Sequence, residues 1–220
     1  MVGNVLPVNI LTLQLIPNLS PGLAKQLGID SRYRAIGLIS TDSDDMTYIA
    51  LDEATKSSNV EVVYARSFYA GAANASTALA GEVIGILAGP TPAEVASGLR
   101  GAEAFLRSGM GFRAANEAED VIYLAHCVSR TGSYLANVAK VPVGQAVAYL
   151  VAPPVEAVVG LDAALKASDV ELTEFFAPPT ETNFSGGLLT GTQSACQAAC
   201  DAFAQAVMNV AAQPKELGGM

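Results

Sequence analysis

The residues of this chain best suited to chemistry are carboxylates. Asp42, Ser43, Asp44 and Asp45 form an acidic run, and three carboxyl groups within four positions suit a small cation. A calcium loop is excluded. Glu53 stands at its twelfth position, but Met46 fills the fifth and Thr47 the sixth, where a sharp turn needs glycine. The same acids also suit the start of a helix near Asp44 or Asp45, whose N-terminal dipole favours negative charge. Nucleophilic catalysis lacks its parts. The one histidine, His126, adjoins Cys127 in an apolar strand pattern, and neighbours on a strand point to opposite faces. Cys196 and Cys200 share a helix face, yet no histidine or third cysteine stands near them, so they read as core residues. Gly109-Met110-Gly111 lacks both the third glycine and the Lys-Ser/Thr of a phosphate loop. No enzymatic activity, cofactor or metal is therefore expected.

The elements that must position the acidic run occur twice. Leu51–Val62 returns 110 residues later as Leu161–Leu172, with Leu, Asp, Ala, Lys, Ser, Val and Glu unchanged. Upstream, Ala35–Ser40 falls on Gln145–Leu150 and Leu11–Leu15 on Val121–Ala125. Downstream, an offset of 106 aligns Gly81 and Gly85 with Gly187 and Gly191, each pair opening a small-residue strand before a long helix. The repeat predicts two tandem α/β domains, 1–110 and 111–220, with their boundary in the polar segment Arg107–Asp120. Each copy reads as strand, short irregular segment, strand, helix, strand, loop, strand, helix. Thr91-Pro92-Ala93-Glu94 is a capping box, and Val95, Leu99, Ala102 and Leu106 continue it as one apolar stripe. Cys196, Cys200, Phe203, Val207 and Val210 form the equivalent stripe in the second copy.

The copies differ at the acids. The counterpart of the acidic run is Ala152-Pro153-Pro154-Val155, which starts the same helix without charge. Capping alone therefore does not require three aspartates, which points to binding. Two loops, Phe68–Ser76 and Pro178–Gly187, occupy the same place in the two copies and exceed a tight turn, a length that favours use.

Composition bounds the partners. Hydrophobic residues make up 51% and charged residues 15%, which is a folded rather than a disordered chain. A net charge of −9 repels phosphate backbones, so nucleic acid is not an expected partner. Prolines interrupt the uncharged stretches, which excludes a membrane span. Three cysteines and no basic leader point to the reducing cytoplasm. The excess apolar surface is expected to be buried in a core or between subunits.

The segment D-x-x-x-K-x-S-x-V-E-V/L, followed by strand, loop, strand and an alanine-rich helix, resembles the bacterial microcompartment shell domain. L-I-S-T-D-S-D-D-M-T-Y, V-V-Y-A-R-S-F-Y-A-G, G-E-V-I-G-I-L-A-G-P, S-R-T-G-S-Y and E-T-N-F-S carry the similarity along nearly the whole chain to the ethanolamine-utilisation members of that family. The resemblance implies an α/β (α+β) fold of two tandem circularly permuted shell domains, each an antiparallel-rich sheet with flanking helices. It implies a homotrimer that forms a six-domain tile beside other microcompartment shell proteins in the bacterial cytoplasm. A central pore would be lined by loops carrying Tyr69, Gly71 and Asn74 in one copy and Asn183 and Phe184 in the other. A small ethanolamine site would use Asp44, Asp45 and Glu82 with Phe112 and Thr182 beside them, and Lys56 and Lys166 would lie at tile edges. A ligand of four heavy atoms gains at most roughly −6 kcal/mol, so its affinity would be no better than about tens of micromolar. The competing expectation is a soluble trimeric sensor of a small molecule that builds no shell.

Overall fold

The computed structural model describes residues 1–68, 79, 81–178 and 180–215. The elements are β1 (Ile10–Ile16), α1 (Pro21–Gln26), β2 (Ala35–Thr41), α2 (Asp44–Ser57), β3 (Glu61–Ser67), β4 (Val83–Gly89) and α3 (Pro92–Leu106). They continue as β5 (Arg113–Ala114), β6 (Ile122–Val128), α4 (Ser133–Val138), β7 (Val147–Ala152), α5 (Pro154–Ala167), β8 (Val170–Phe176), β9 (Ser185–Gly191) and α6 (Gln193–Ala212). The segments expected to be irregular, between the first two long strands of each copy, are the short helices α1 and α4. No helix among the described residues is long and apolar enough to cross a membrane.

The chain divides into two units that exchange short segments. The N-terminal unit comprises Pro7–Met110 and Thr131–Asn137; the C-terminal unit comprises Met1–Leu6, Gly111–Arg130 and the chain from Val138. In the N-terminal unit the sheet runs β1-β2-β4-β3, antiparallel throughout. Helices α2 and α3 pack on it and on each other, closing over Ile39, Met46, Ile49, Leu51, Leu87 and Val95. In the C-terminal unit the order is β5-β6-β7-β9-β8, again antiparallel, with α5 and α6 packed together against it. Its core holds Leu150, Leu161, Leu189, Cys196, Cys200, Phe203 and Val207, so the cysteine-bearing stripe of α6 faces inward.

The repeat is visible down to its irregularities. The β3–β4 ladder shifts register between Val62 and Tyr64, and β8–β9 shifts between Leu172 and Glu174, 110 residues later. Beyond that point the expected offset of 106 is corrected. Strand β9 starts at Ser185 where β4 starts at Val83, an offset of 102. Gly81 thus precedes its strand while Gly187 lies inside one. The reason is loop length: residues 68–82 join β3 to β4, but the shorter stretch 177–184 joins β8 to β9.

Half of the expected capping box forms. Thr91 Oγ1 accepts the Glu94 N–H at 3.2 Å. The Glu94 carboxylate, instead of returning to the cap, accepts the Asn59 N–H at 3.0 Å and ties α3 to the end of α2. Thr91→Ala is expected to lower stability by about 1 kcal/mol in denaturant unfolding, the usual loss for an N-cap hydroxyl; an unchanged midpoint would discount the cap.

The junction of α4 with α2 completes the N-terminal unit. Asp52 on α2 is fully buried. Its Oδ2 accepts the Gly132 N–H at 2.7 Å and its Oδ1 the Leu135 N–H at 2.8 Å, so one carboxylate satisfies two orphan donors of the α4 start. Thr55 Oγ1 accepts the Ser133 N–H at 3.0 Å. Lys56 Nζ lies 3.3 Å from Asp52 and 2.6 Å from Glu53, balancing the charge. Position 132 must be glycine, because a Cβ there would stand 2.6 Å from the Asp52 carbonyl oxygen.

Candidate functional site

The acidic run sits where β2 hands over to α2, and backbone chemistry explains why it turns there. Thr41 Oγ1 accepts the Ser43 N–H at 3.0 Å, and the Thr41 and Thr47 hydroxyls meet at 2.7 Å, fixing the turn around the N-cap Ser43. The Ser43 hydroxyl is buried and finds no hydrogen-bond partner among the described residues. Asp42 is tied outward: Asn9 donates its backbone N–H to Oδ1 at 2.8 Å and its side-chain amide to Oδ2 at 2.7 Å. Asp44 and Asp45, by contrast, are each only 8% exposed. Asp44 Oδ1 accepts the Asp45 N–H at 2.8 Å, so part of this acid does serve the helix start.

Glu82 is brought beside them by β4. Its N–H donates to the Thr41 carbonyl and its carbonyl accepts the Phe68 N–H, both at 2.8 Å, which pins it against the ends of β2 and β3. Gly81 allows this approach: it sits at φ +65, and any Cβ would collide with the Thr41 carbonyl. Burial, reinforced by the charges of Asp44 and Asp42, pushes the Glu82 carboxyl up to about 7. A carboxyl so raised is half-ionised near neutrality, and an arriving cation would complete its ionisation.

The second oxygen of Asp44 ends a relay. The Tyr48 hydroxyl donates to Ser67 Oγ at 2.5 Å, and Ser67 Oγ donates to Asp44 Oδ2 at 2.7 Å. Burial pushes the Tyr48 phenol well above its ordinary range, so it stays a donor. Tyr134 packs against it with ring centroids 6.2 Å apart and is itself pushed up to about 12 by burial. Sequence reasoning missed this shell. Tyr48 was within reach, since it stands four residues after Asp44 on one helix face; Ser67, on another strand, gave no signal.

The remaining residues belong to the C-terminal unit. Phe112, 8% exposed, packs against Phe184 with centroids 5.5 Å apart. Thr180 Oγ1 donates to the Phe184 carbonyl at 2.8 Å and accepts its N–H at 3.1 Å, closing a turn around half-buried Thr182 and exposed Asn183. Asn183 takes φ +62, a left-handed conformation that asparagine tolerates. In the N-terminal unit, then, Glu82 stands within the field of Asp44 and Asp42, while Asp45 acts on Tyr48 and Tyr134; in the C-terminal unit Phe112 and Phe184 stand together at the Thr180–Phe184 turn. Tyr69, Gly71 and Asn74 lie outside the described residues. The repeat equates Lys56 with Lys166, but their settings differ. Lys166 is exposed and paired with exposed Asp162 at 2.6 Å, whereas Lys56 is mostly covered and holds Asp52 inside the fold. Among the described residues, no three His, Cys, Asp or Glu side chains are grouped to hold a metal ion.

Comparison with known proteins agrees with this architecture. The BMC domain profile matches residues 35–116. The chain is 64% identical over 206 residues to the bacterial microcompartment shell protein EutL of Clostridium perfringens, covering 94% of this chain and 95% of that one. A monoclinic crystal structure of EutL from Clostridium perfringens superposes with TM-score 0.97 at 61% identity, covering 99% of each chain. The ethanolamine utilization protein EutL from Leptotrichia buccalis superposes with TM-score 0.96 at 57% identity, over 98% of this chain and all of that one.

Proposed function

The chain belongs to the bacterial microcompartment shell proteins of the EutL family, and from that premise we propose that three copies close into a six-domain shell tile whose central pore answers to ethanolamine. The observation that carries the ligand reading is the acidic start of α2, where Glu82 is raised to about 7 by burial and by the charges of Asp44 and Asp42. Ethanolamine carries an ammonium for the carboxylates and a hydroxyl for a neutral partner. The chemistry of a relative named for ethanolamine utilization is consistent with that choice. In this reading Asp44, Asp45 and Glu82 take the ammonium. The pore is lined by the turn carrying Asn183 and Phe184.

Coupling between site and pore follows from chain connectivity. Thr182 and Phe184 share one short turn, so a ligand that engages Thr182 biases Phe184 if it prefers one turn position. A tenfold preference corresponds to about 1.4 kcal/mol, within what so small a ligand can supply. At the tile edge, exposed Lys166 offers a donor to a neighbouring tile, and Lys56 would do so only in addition to its ion pairs with Asp52 and Glu53.

Calorimetry tests the site. Ethanolamine is expected to bind with an affinity of about tens of micromolar or weaker, and Asp45→Asn should weaken it at least about tenfold, the effect of losing one charge-assisted contact. Equal binding by the variant would remove Asp45 from the site. Flat sheets in electron micrographs, lost in a Lys166→Asp variant, would separate a shell tile from a sensor that builds no lattice.

A further inference from the structure

We propose that the Tyr48 and Ser67 hydroxyls form a positioning relay for the acidic site, holding Asp44 as a directed anion and leaving Glu82 to give up its proton to an arriving cation. The relay rests on the cation-site reading above, but each can fail without the other. Asp44 and Tyr48 stand one turn apart on one face of α2, and Ser67 ends β3. The contacts between them have a direction. Burial raises the Tyr48 phenol, so it keeps its hydrogen and gives it to Ser67 Oγ at 2.5 Å. With that acceptor role taken, Ser67 turns its own hydrogen to Asp44 Oδ2 at 2.7 Å. Oδ1 accepts the Asp45 N–H at 2.8 Å, so both oxygens of a carboxylate only 8% exposed meet donors. Hydrogen bonds to the charged form of a carboxyl favour its ionisation. The Tyr134 ring of α4, with its centroid 6.2 Å from that of Tyr48, keeps the phenol in place.

The second copy shows that these groups belong together. The helix starts Asp44 and Pro154 lie 110 residues apart, and so do the register shifts of β3 and β8. At that spacing Asp44 falls on Pro154, Tyr48 on Val158 and Ser67 on Ala177. The acid and both hydroxyls are therefore replaced as a set. Helix α5 and strand β8 form without them, so the fold does not require the relay. The charges around it do. Besides burial, Asp44 and Asp42 act on Glu82, Asp44 and Asp45 act on Tyr48, and Asp45 and Asp52 act on Tyr134, with Arg66 drawing Tyr134 the other way. Among so many acids, Asp44 and Glu82 compete for a proton as a coupled pair. The hydrogen bond from Ser67 decides its place, on Glu82.

Carboxyl-carbon NMR of the ligand-free chain and calorimetry with ethanolamine test the relay. In the parent, the Asp44 signal should hold still through neutrality while that of Glu82 titrates at about 7. In Ser67→Ala the Asp44 signal should titrate there too. The pH at which ethanolamine affinity reaches half its alkaline value should then rise by about one pH unit, the effect of one hydrogen bond lost from a carboxylate. Binding at pH 7 weakens about fivefold as a result. Ser67→Thr, which keeps the hydroxyl, should restore the parental profile, and Tyr48→Phe should give a smaller rise in the same direction. A merely structural role would lower affinity at every pH without moving that midpoint. An unmoved midpoint, or an Asp44 signal in Ser67→Ala identical to the parent's, would overturn the relay and leave the site reading standing. A parent that does not bind ethanolamine would overturn the site reading, and the ligand-free titration then decides the relay alone.

Discussion

Replacing Asp52 by alanine is expected to destabilise the N-terminal unit by about 3–5 kcal/mol, the cost of breaking a buried charge pair. The fully enclosed carboxylate accepts two backbone N–H groups and faces Lys56. Truncation leaves the two buried N–H groups without their acceptor and Lys56 with Glu53 alone. Asparagine does not rescue it. An amide offers one acceptor oxygen, and its NH2 would point at whichever N–H it cannot satisfy, so Asp52→Asn should still lose about 1–3 kcal/mol. Denaturant unfolding at fixed protein concentration measures both losses, and faster amide exchange at Gly132 and Leu135 locates them. An asparagine variant as stable as the parent would mean that this carboxylate is not what seats α4.

The second large effect is a dependence of ligand binding on pH. Glu82 titrates at about 7 in the folded chain against an ordinary 4.5, so the folded state holds its proton more tightly than the unfolded state. Its contribution to stability is complete below an ordinary carboxyl pKa of about 4.5 and is lost as pH rises through about 7. Cation binding runs the other way, because the ammonium favours the ionised carboxyl. If only ionised Glu82 binds, the competent fraction falls about tenfold between pH 8 and pH 6, and the apparent affinity falls with it. Near pH 6, binding should also expel close to one proton, seen as a heat that varies with the ionisation enthalpy of the buffer. Glu82→Gln should bind more weakly at pH 8, lose the pH dependence, and melt higher than the parent above pH 7. Equal parental affinity at the two pH values would detach Glu82 from the ligand.

Legibility in the sequence followed the range of the interactions. The α2–β3 and α5–β8 segments were readable because their apolar spacing and repeated residues lie close together, and even the two register shifts keep the 110-residue spacing. The cap at Thr91 was readable in its hydroxyl and misread in its glutamate, since Asn59 is remote in sequence. The downstream offset failed because glycine matching cannot see a loop of different length. The acids drew attention by their density, yet nothing local distinguishes Asp42, held by Asn9, from Asp44, held by Ser67. Asp52 was the hardest case. Its D-x-x-x-K spacing to Lys56 is the same as that of Asp162 to Lys166, and only a partner 80 residues away makes one buried and leaves the other in solvent.

Because the N-terminal unit includes Thr131–Asn137, its assembly order is set by translation. When the ribosome has made residue 110, the strands of that unit exist but the carboxylate of Asp52 has no α4 to cap. It must wait until residue 137 has left the exit tunnel, by which time β6 has also emerged. The first six residues wait in turn for the second unit, where Val5 bridges Arg113. Neither half can therefore finish folding when its own repeat has been synthesised. A nascent chain stalled near residue 110 presents an unfinished helix face to chaperones, and the second unit follows only once α6 has emerged.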